Sequence, residues 1–308
     1  MGGSSFRITN NKTSSTAAPS LYFKNDDDLY VSLALLNSCI SQVYMDLLNP
    51  TVGLKLANVE AVPAIKFEKM AVLLRSLCEN NIALSKEDWD SYEISWDFEQ
   101  HPLVKRKELH SLEKCYLEWK TECENRFLKM KDNEEHINAV ILKEYGLENE
   151  VACEVSEKSI SVHRIFDTKE DIPVSMDGSY YVRTKRDEIV SLISYSVGCM
   201  FGRYSLDKNG IVNAGDSLNA NEYVSFSVDK DNIIPICDDE YFKDDIVGRF
   251  VEFIKIVYGV DSLDDNLKFI ANALGGKGSP REIIRNYFVN DFYKEHCVTY
   301  SGTVGKRP

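Results

Sequence analysis

The stretch SYSVGCMFGRYSLD, Ser194 to Asp207, gathers residues that could do chemistry: two glycines four apart, a cysteine between them and an arginine directly after. A phosphate-cradling loop needs Gly-x-x-x-x-Gly-Lys-Ser/Thr between a strand and a helix, so that backbone N–H groups and the lysine meet the phosphates. Here the glycine spacing is one residue short, Arg203 follows Gly202, and no serine or threonine comes next. A dinucleotide fingerprint, Gly-x-Gly-x-x-Gly, is absent. The residues before it, Glu188 to Val197, have helical spacing. Gly198 and Gly202 are therefore expected on one helix face, one turn apart, where another segment packs closely. Cys199 lies among Val197, Met200 and Phe201 with no neighbouring base to make a thiolate, so catalysis by that sulfur is not expected. Arg203 has two open roles, pairing with an acid or with a phosphate.

The other reactive side chains are dispersed. Eight cysteines include no Cys-x-x-Cys pair, and five histidines include no pair at metal-ligand spacing. Buried free thiols are expected, and no metal site. Basic residues cluster at Lys105, Arg106 and Lys107, at Arg183, Lys185 and Arg186, and at Lys277, Arg281 and Arg285. Each cluster could contact DNA phosphates, and each could equally be a solvated helix end. The net charge of −13 opposes wholesale coating of nucleic acid but leaves room for a local patch. It also suits a second reading, a protein-interaction scaffold.

These residues must be positioned by helices. Apolar residues recur at three-to-four spacing from Leu29 to a stop at Pro50, from about Phe67 to Leu84, and after Ser85 as an N-cap. Residues 52–65 read as a strand or loop. Trp89 to Phe98 reads as plain core packing. His101-Pro102 interrupts the helix. The longest signal runs from about Val104 to Tyr145, with a stripe through Leu109, Leu112, Tyr116, Trp119, Cys123, Phe127, Met130, Ile137 and Ile141, and Gly146 as C-cap. After an acidic, irregular stretch with a short strand at Ile160 to Val162, helices follow at Thr184–Tyr204, Ile246–Tyr258, Leu263–Leu274 and Pro280–Tyr293. Ser279 caps the last, with Pro280 at its first position. The fold class expected is mainly α (α+β). No run approaches the length of a membrane span and no secretory signal is visible, so a cytoplasmic chain without membrane association is expected.

Several blocks carry a resemblance, in one order along most of Leu29 to Tyr300: LLNPT, SKEDWDSYEISWDF, EWKTECENRFLKMKDNEEHINAVILKEYGL, LISYSVGCMFGRYSLD, DNIIPICDDEYFKDDIVGRFVEFIK and SPREIIRNYFVNDFYKEHCVTY. Together they resemble the large adenine-specific DNA methyltransferases of BREX phage-defence systems, the PglX family. That family's catalytic domain binds S-adenosyl-L-methionine and carries Asn-Pro-Pro-Tyr/Phe, which holds and stacks on a flipped adenine. This sequence has neither that motif nor a Gly-rich strand-to-helix turn; its only Asn-Pro is Asn49-Pro50. The resemblance implies the C-terminal DNA-recognition and spacer portion of such a methyltransferase, or a split product of one. This portion is expected to be inactive alone and to carry no cofactor, S-adenosyl-L-methionine belonging to the full-length family. The expected layout is the edge of a target recognition domain at 1–66, a long-helix spacer at 67–147, and a mostly helical C-terminal domain at 148–308. Implied partners are duplex DNA, a methyltransferase catalytic domain in the same or a separate chain, and other BREX subunits. The polar candidates left to read bases are Arg7, Asn10, Asn11 and Lys12; the phosphate candidates are the clusters at 105–107 and 183–186.

Overall fold

The computed structural model describes residues 5–9, 20–48, 56–65, 67, 69–215 and 219–301. Asn10, Asn11, Lys12 and Asn49-Pro50 lie outside them. The described chain is mainly helical, with one two-stranded sheet. Among the described residues, no helix is long and apolar enough to cross a membrane.

Eleven α-helices follow in order: α1 Asp26–Asn37, α2 Cys39–Leu48, α3 Leu56–Glu60, α4 Ala71–Trp89, α5 Pro102–Lys105, α6 Leu112–Tyr145, α7 Lys185–Met200, α8 Ile246–Tyr258, α9 Leu263–Leu274, α10 Pro280–Tyr287 and α11 Tyr293–Ser301. Strands β1 (Arg164–Phe166) and β2 (Val182–Thr184) pair in parallel, with Ile165 opposite Arg183. The strand thus falls just after Ile160 and Val162, whose side chains are buried from irregular backbone instead.

The chain divides into two compact units, residues 1–86 with 126–162, and 87–125 with 163–308. The first has its own apolar core of Ala34, Leu35, Ile40, Phe67, Leu74, Cys78, Ile137, Ile141 and Leu142. Two buried asparagines of α6 organise it. Asn138 accepts from the Cys39 amide at 2.9 Å and donates to the Cys153 carbonyl at 3.0 Å. That contact explains why the helix expected from Leu29 to Pro50 breaks at Ser38: the freed amide at the start of α2 finds a partner 99 residues away. Asn133 donates to the side-chain oxygens of Asn80 and Asn81, each at 2.7 Å. Ser85 does not cap a new helix; α4 runs through it. Residues 56–60 are helix where a strand or loop is expected.

The second unit is built on the first half of α6 and on α7 to α10, around Leu112, Tyr116, Trp119, Ile189, Leu192, Phe250, Phe253, Ile270 and Tyr287. The predicted stripe is buried from Leu112 to Ile141, while Leu109 is half-buried in the short turn before α6. The helix starts later than expected, because His110 adopts a left-handed φ of 52° and ends a short turn. A distant residue then caps α6: the Asn266 side chain accepts from the Leu112 amide at 2.8 Å. Helices α8 and α9 match their predicted bounds, and the Ser279 capping box opens α10 as expected. A π-helical turn at Phe288–Phe292 links α10 to α11.

The glycine pair resolves differently from its expectation. Only Gly198 lies in α7. Gly202 lies beyond the helix end with φ 76°, a left-handed conformation that favours glycine. There the chain reverses: the amides of Arg203 and Tyr204 both bond to the Gly198 carbonyl, at 2.8 and 3.3 Å. This return lays the Tyr204 ring on Gly198, where a Cβ would stand 2.6 Å from Tyr204 Cδ2. The close partner is the chain's own next turn. Gly198→Ala should therefore cost about 1–3 kcal/mol through overpacking against a buried ring. Chemical denaturation checks this; wild-type stability in the variant would mean that Tyr204 moves aside freely.

Candidate nucleic-acid interface

Glu188 sits in the first turn of α7 and is buried to 1% exposure. Its carboxylate accepts from Trp119 Nε1 of α6 at 2.8 Å and from Arg183 Nε of β2 at 2.5 Å. The Arg183 guanidinium also lies 4.4 Å over the Tyr92 ring. Burial works against its charge, but the facing Glu188 carboxylate holds it above the ordinary arginine range. On the other side, the Arg106 guanidinium lies 5.2 Å over Trp119, donates to the Pro102 carbonyl at 2.7 Å and pairs with Glu122. Both arginines act on buried His101, whose imidazole is held down to about 3 by burial first and then by Arg183 and Arg106. His101 accepts from the Leu103 amide through Nδ1, so the neutral ring is the N-cap of α5.

The structure thus brings Arg106 and Arg183 into one internal chain of contacts. Lys185 and Arg186 also have acidic partners. Lys185 bonds Asp167 at 3.2 Å and lies over the rings of Tyr116 and Phe269. Asp167 also accepts from Lys120 at 2.8 Å and Tyr116 Oη at 2.9 Å. The Lys120 hydrogen bond, against the opposing effect of burial and with help from Tyr116 and Lys185, pulls Asp167 to about 2. Arg186 pairs with Glu295 of α11 at 2.8 Å. In the third cluster, Arg285 bonds buried Asp245 through two nitrogens at 2.7 and 2.8 Å, Arg281 lies 3.5 Å from Glu240, and Lys277 is exposed.

Lys105 and Lys107, like Lys277, differ from the paired cations. Both are exposed and form no salt bridge among the described residues. They flank Arg106 on a corner whose inner face, Leu103 and Val104, is fully buried. Lys107 lies near Asp207. Burial opposes the charge of that carboxylate, but bonds from Ser225 and the field of Lys107 keep it below the ordinary range. Arg7 is exposed in the other unit, next to Phe6, whose backbone N–H and C=O both bond the Asn37 side chain, at 2.9 and 3.1 Å.

The opening motif contributes a polar cluster that its spacing did not announce. Glu93 is buried, and Ser194, Tyr300, Arg203 and Tyr204 around it favour its charged form. Burial dominates these contacts and lifts the carboxyl to about 7. Arg203 lies 5.6 Å over each of the Tyr204 and Tyr300 rings; burial works against its charge, but Tyr204, Tyr300 and Glu93 hold it above the ordinary arginine range. Burial raises the Cys199 thiol above its usual range. Asp88 was equally illegible: it reads as a first-turn acid, yet it is buried with its carboxylate on the His163 ring at 2.7 Å and the His163 amide at 3.1 Å.

Beside the β2–α7 junction is a cleft of about 450 Å³ lined by Asp167, Thr168, Lys169, Lys185, Phe269 and Asn272, among others. It is the place where an α/β fold would cradle S-adenosyl-L-methionine. The residues do not fit that group. The junction reads Val-Arg-Thr-Lys-Arg without glycine. The Thr184–Asp187 capping box takes up the Thr184 and Asp187 amides and places the Asp187 carboxylate at the start of the helix.

No family model matches the chain. Over 295 residues, 93% of its length, the chain is 38% identical to the adenine-specific methyltransferase PglX of Lacticaseibacillus casei (strain Zhang). Over 304 residues, 94% of its length, it is 32% identical to the adenine-specific methyltransferase BrxX of Escherichia coli O9:H4 (strain HS). It spans 22% and 24% of those relatives' lengths.

Two outcomes are expected from the ionic contacts. Arg183→Ala strands the buried Glu188 carboxylate and should cost roughly 3–5 kcal/mol in urea unfolding; a loss under about 1 kcal/mol would contradict the buried pair. Glu93 has a folded-state value of about 7 against an ordinary 4.5, so it stabilises fully below the ordinary value and loses that contribution as pH rises through 7. Glu93→Gln should therefore gain stability relative to wild type between about pH 5 and pH 8. Urea midpoints at the two pH values check the sign.

Proposed function

Because the chain belongs over nearly all of its length to the PglX/BrxX family of adenine-specific methyltransferases, we propose that it is the DNA-engaging and spacer portion of such an enzyme in BREX phage defence. The observation that carries this reading is the extent of the match: 93–94% of the chain aligns with one part of much longer methyltransferases. The adenine-binding motif and the S-adenosyl-L-methionine site then belong to a catalytic domain with which this portion acts, on the same or another chain. No chemical step is assigned to residues of this portion. Its contribution is to hold duplex DNA while the partner domain flips and methylates the N6 position of adenine.

Under this reading, residues 1–66 close a target recognition domain, 67–147 form the spacer and 148–308 the C-terminal domain. Of the basic candidates, Lys105 and Lys107 are the best placed to meet phosphates, because they put two exposed cations without a salt bridge among the described residues on one corner, whereas Lys277 stands singly beside paired Arg281 and Arg285. Arg106, Arg183, Lys185 and Arg186 support them by fixing the corner and the α7 junction. Arg7, Asn11 and Lys12 are the candidates for base contact.

Phosphate contact releases counterions, so affinity falls with salt in proportion to the contacts made, with a logarithmic slope of about 0.9 per contact. Titration of a mixed-sequence duplex at several salt concentrations should give a slope about 1.8 lower for Lys105→Ala/Lys107→Ala than for wild type. An unchanged slope would assign the corner to fold alone, and no duplex binding by wild type would remove the DNA-engaging role.

A further inference from the structure

The segment from Trp89 to Phe98 is expected from sequence to be core, and the structure divides it. Tyr92 and Phe98 are buried, but Trp96 is 92% exposed, Trp89 51% and Ile94 45%. An indole of that size in water is an apolar surface without a partner. It is also held still. Ser95, at 5% exposure, donates its hydroxyl to Asp90 at 2.6 Å and accepts from the Asp97 amide at 3.1 Å. Its amide bonds the Tyr92 carbonyl at 2.9 Å, and Phe98 at 2% exposure packs edge-on against the rings of Tyr195 and Tyr204. Trp96 therefore stands on a turn pinned on both sides, so a partner would not bear the cost of ordering it.

The charge around it selects the partner. From Glu87 to Val104 there is no lysine or arginine. Asp88 and Glu93 are buried inside, while Asp97 and Glu99 are exposed beside the indole, Glu99 receiving a bond from Asn209 at 3.4 Å. Phosphates would be repelled here, which separates this surface from the Lys105 corner. A second copy using the same patch would set these acids against one another. A guanidinium satisfies both features at once, stacking on the indole face and pairing with a carboxylate.

We propose that Trp96, flanked by Asp97 and Glu99, is a docking anchor for an arginine-bearing basic segment of a protein partner. This inference is independent of the DNA-engaging reading and stands if that reading fails. The test is fluorescence anisotropy of labelled nona-arginine peptide with the full chain. Trp96→Ala should weaken binding at least about tenfold, as loss of an interface anchor does. Trp96→Phe should keep most of the affinity, and Asp97→Asn/Glu99→Gln should reduce its salt dependence. Asp264→Asn/Asp265→Asn, which neutralises two exposed acids at the start of α9, should change nothing, since it separates docking from attraction to net charge. Equal peptide binding by wild type and Trp96→Ala overturns the proposal. So does a Trp96→Ala variant that loses duplex binding, which would make the indole a base-stacking group. A self-associated wild type that Trp96→Ala renders monomeric in sedimentation overturns it as well.

Discussion

A carboxylate cannot be buried without partners, and the second unit is arranged around that constraint at Glu188. Its two oxygens are taken by Trp119 of α6 and Arg183 of β2, so one side chain ties the long helix, the sheet and α7 together. From Trp119 the constraint passes to Arg106, stacked on the indole and bonded to the Pro102 carbonyl, and so to the α5 corner. With Arg106 turned inward and Leu103 and Val104 buried, Lys105 and Lys107 are left facing water. The exposed cations are thus a consequence of an internal carboxylate.

The same economy governs the charge of the whole chain. Acids outnumber bases by 49 to 36, and much of the basic complement in the second unit is spent on internal acids: Arg183 on Glu188, Lys120 and Lys185 on Asp167, Arg186 on Glu295, Arg285 on Asp245. A surface of this kind leaves few cations free of acidic partners and presents acidic ground elsewhere. Binding of DNA at one corner and of a basic protein segment at an acidic, aromatic turn are compatible on it, because each depends on local charge within about a Debye length.

The portion of the PglX/BrxX relatives that this chain matches contains two units, each with its own apolar core. The cleft at β2–α7 lies beside a strand-to-helix junction without glycine, whose Thr184 and Asp187 amides are taken up by the protein's own capping box. The proposed docking of a protein partner uses exposed Trp96 on its pinned turn.

Helical class, the α6 stripe, and the limits of α8, α9 and the start of α10 were legible in the sequence. They rest on periodicity and local caps, interactions between residues a few positions apart. The family, too, was legible, from the order of several blocks. What only the tertiary structure decided were contacts between distant residues. Asn138 meeting Cys39 breaks the first helix, and Asn266 caps α6 from 154 residues away. Gly202 leaves the helix because Tyr204 must return onto Gly198. The fate of the charged and aromatic residues was likewise beyond local pattern. In sequence Glu188 only opens a stretch of helical spacing and Trp96 reads as core, yet the first is buried and the second exposed. Local spacing sets which side of a helix is apolar; whether a polar group is buried, and which cation pairs with it, depends on the element packed against it, which the sequence records only at long range.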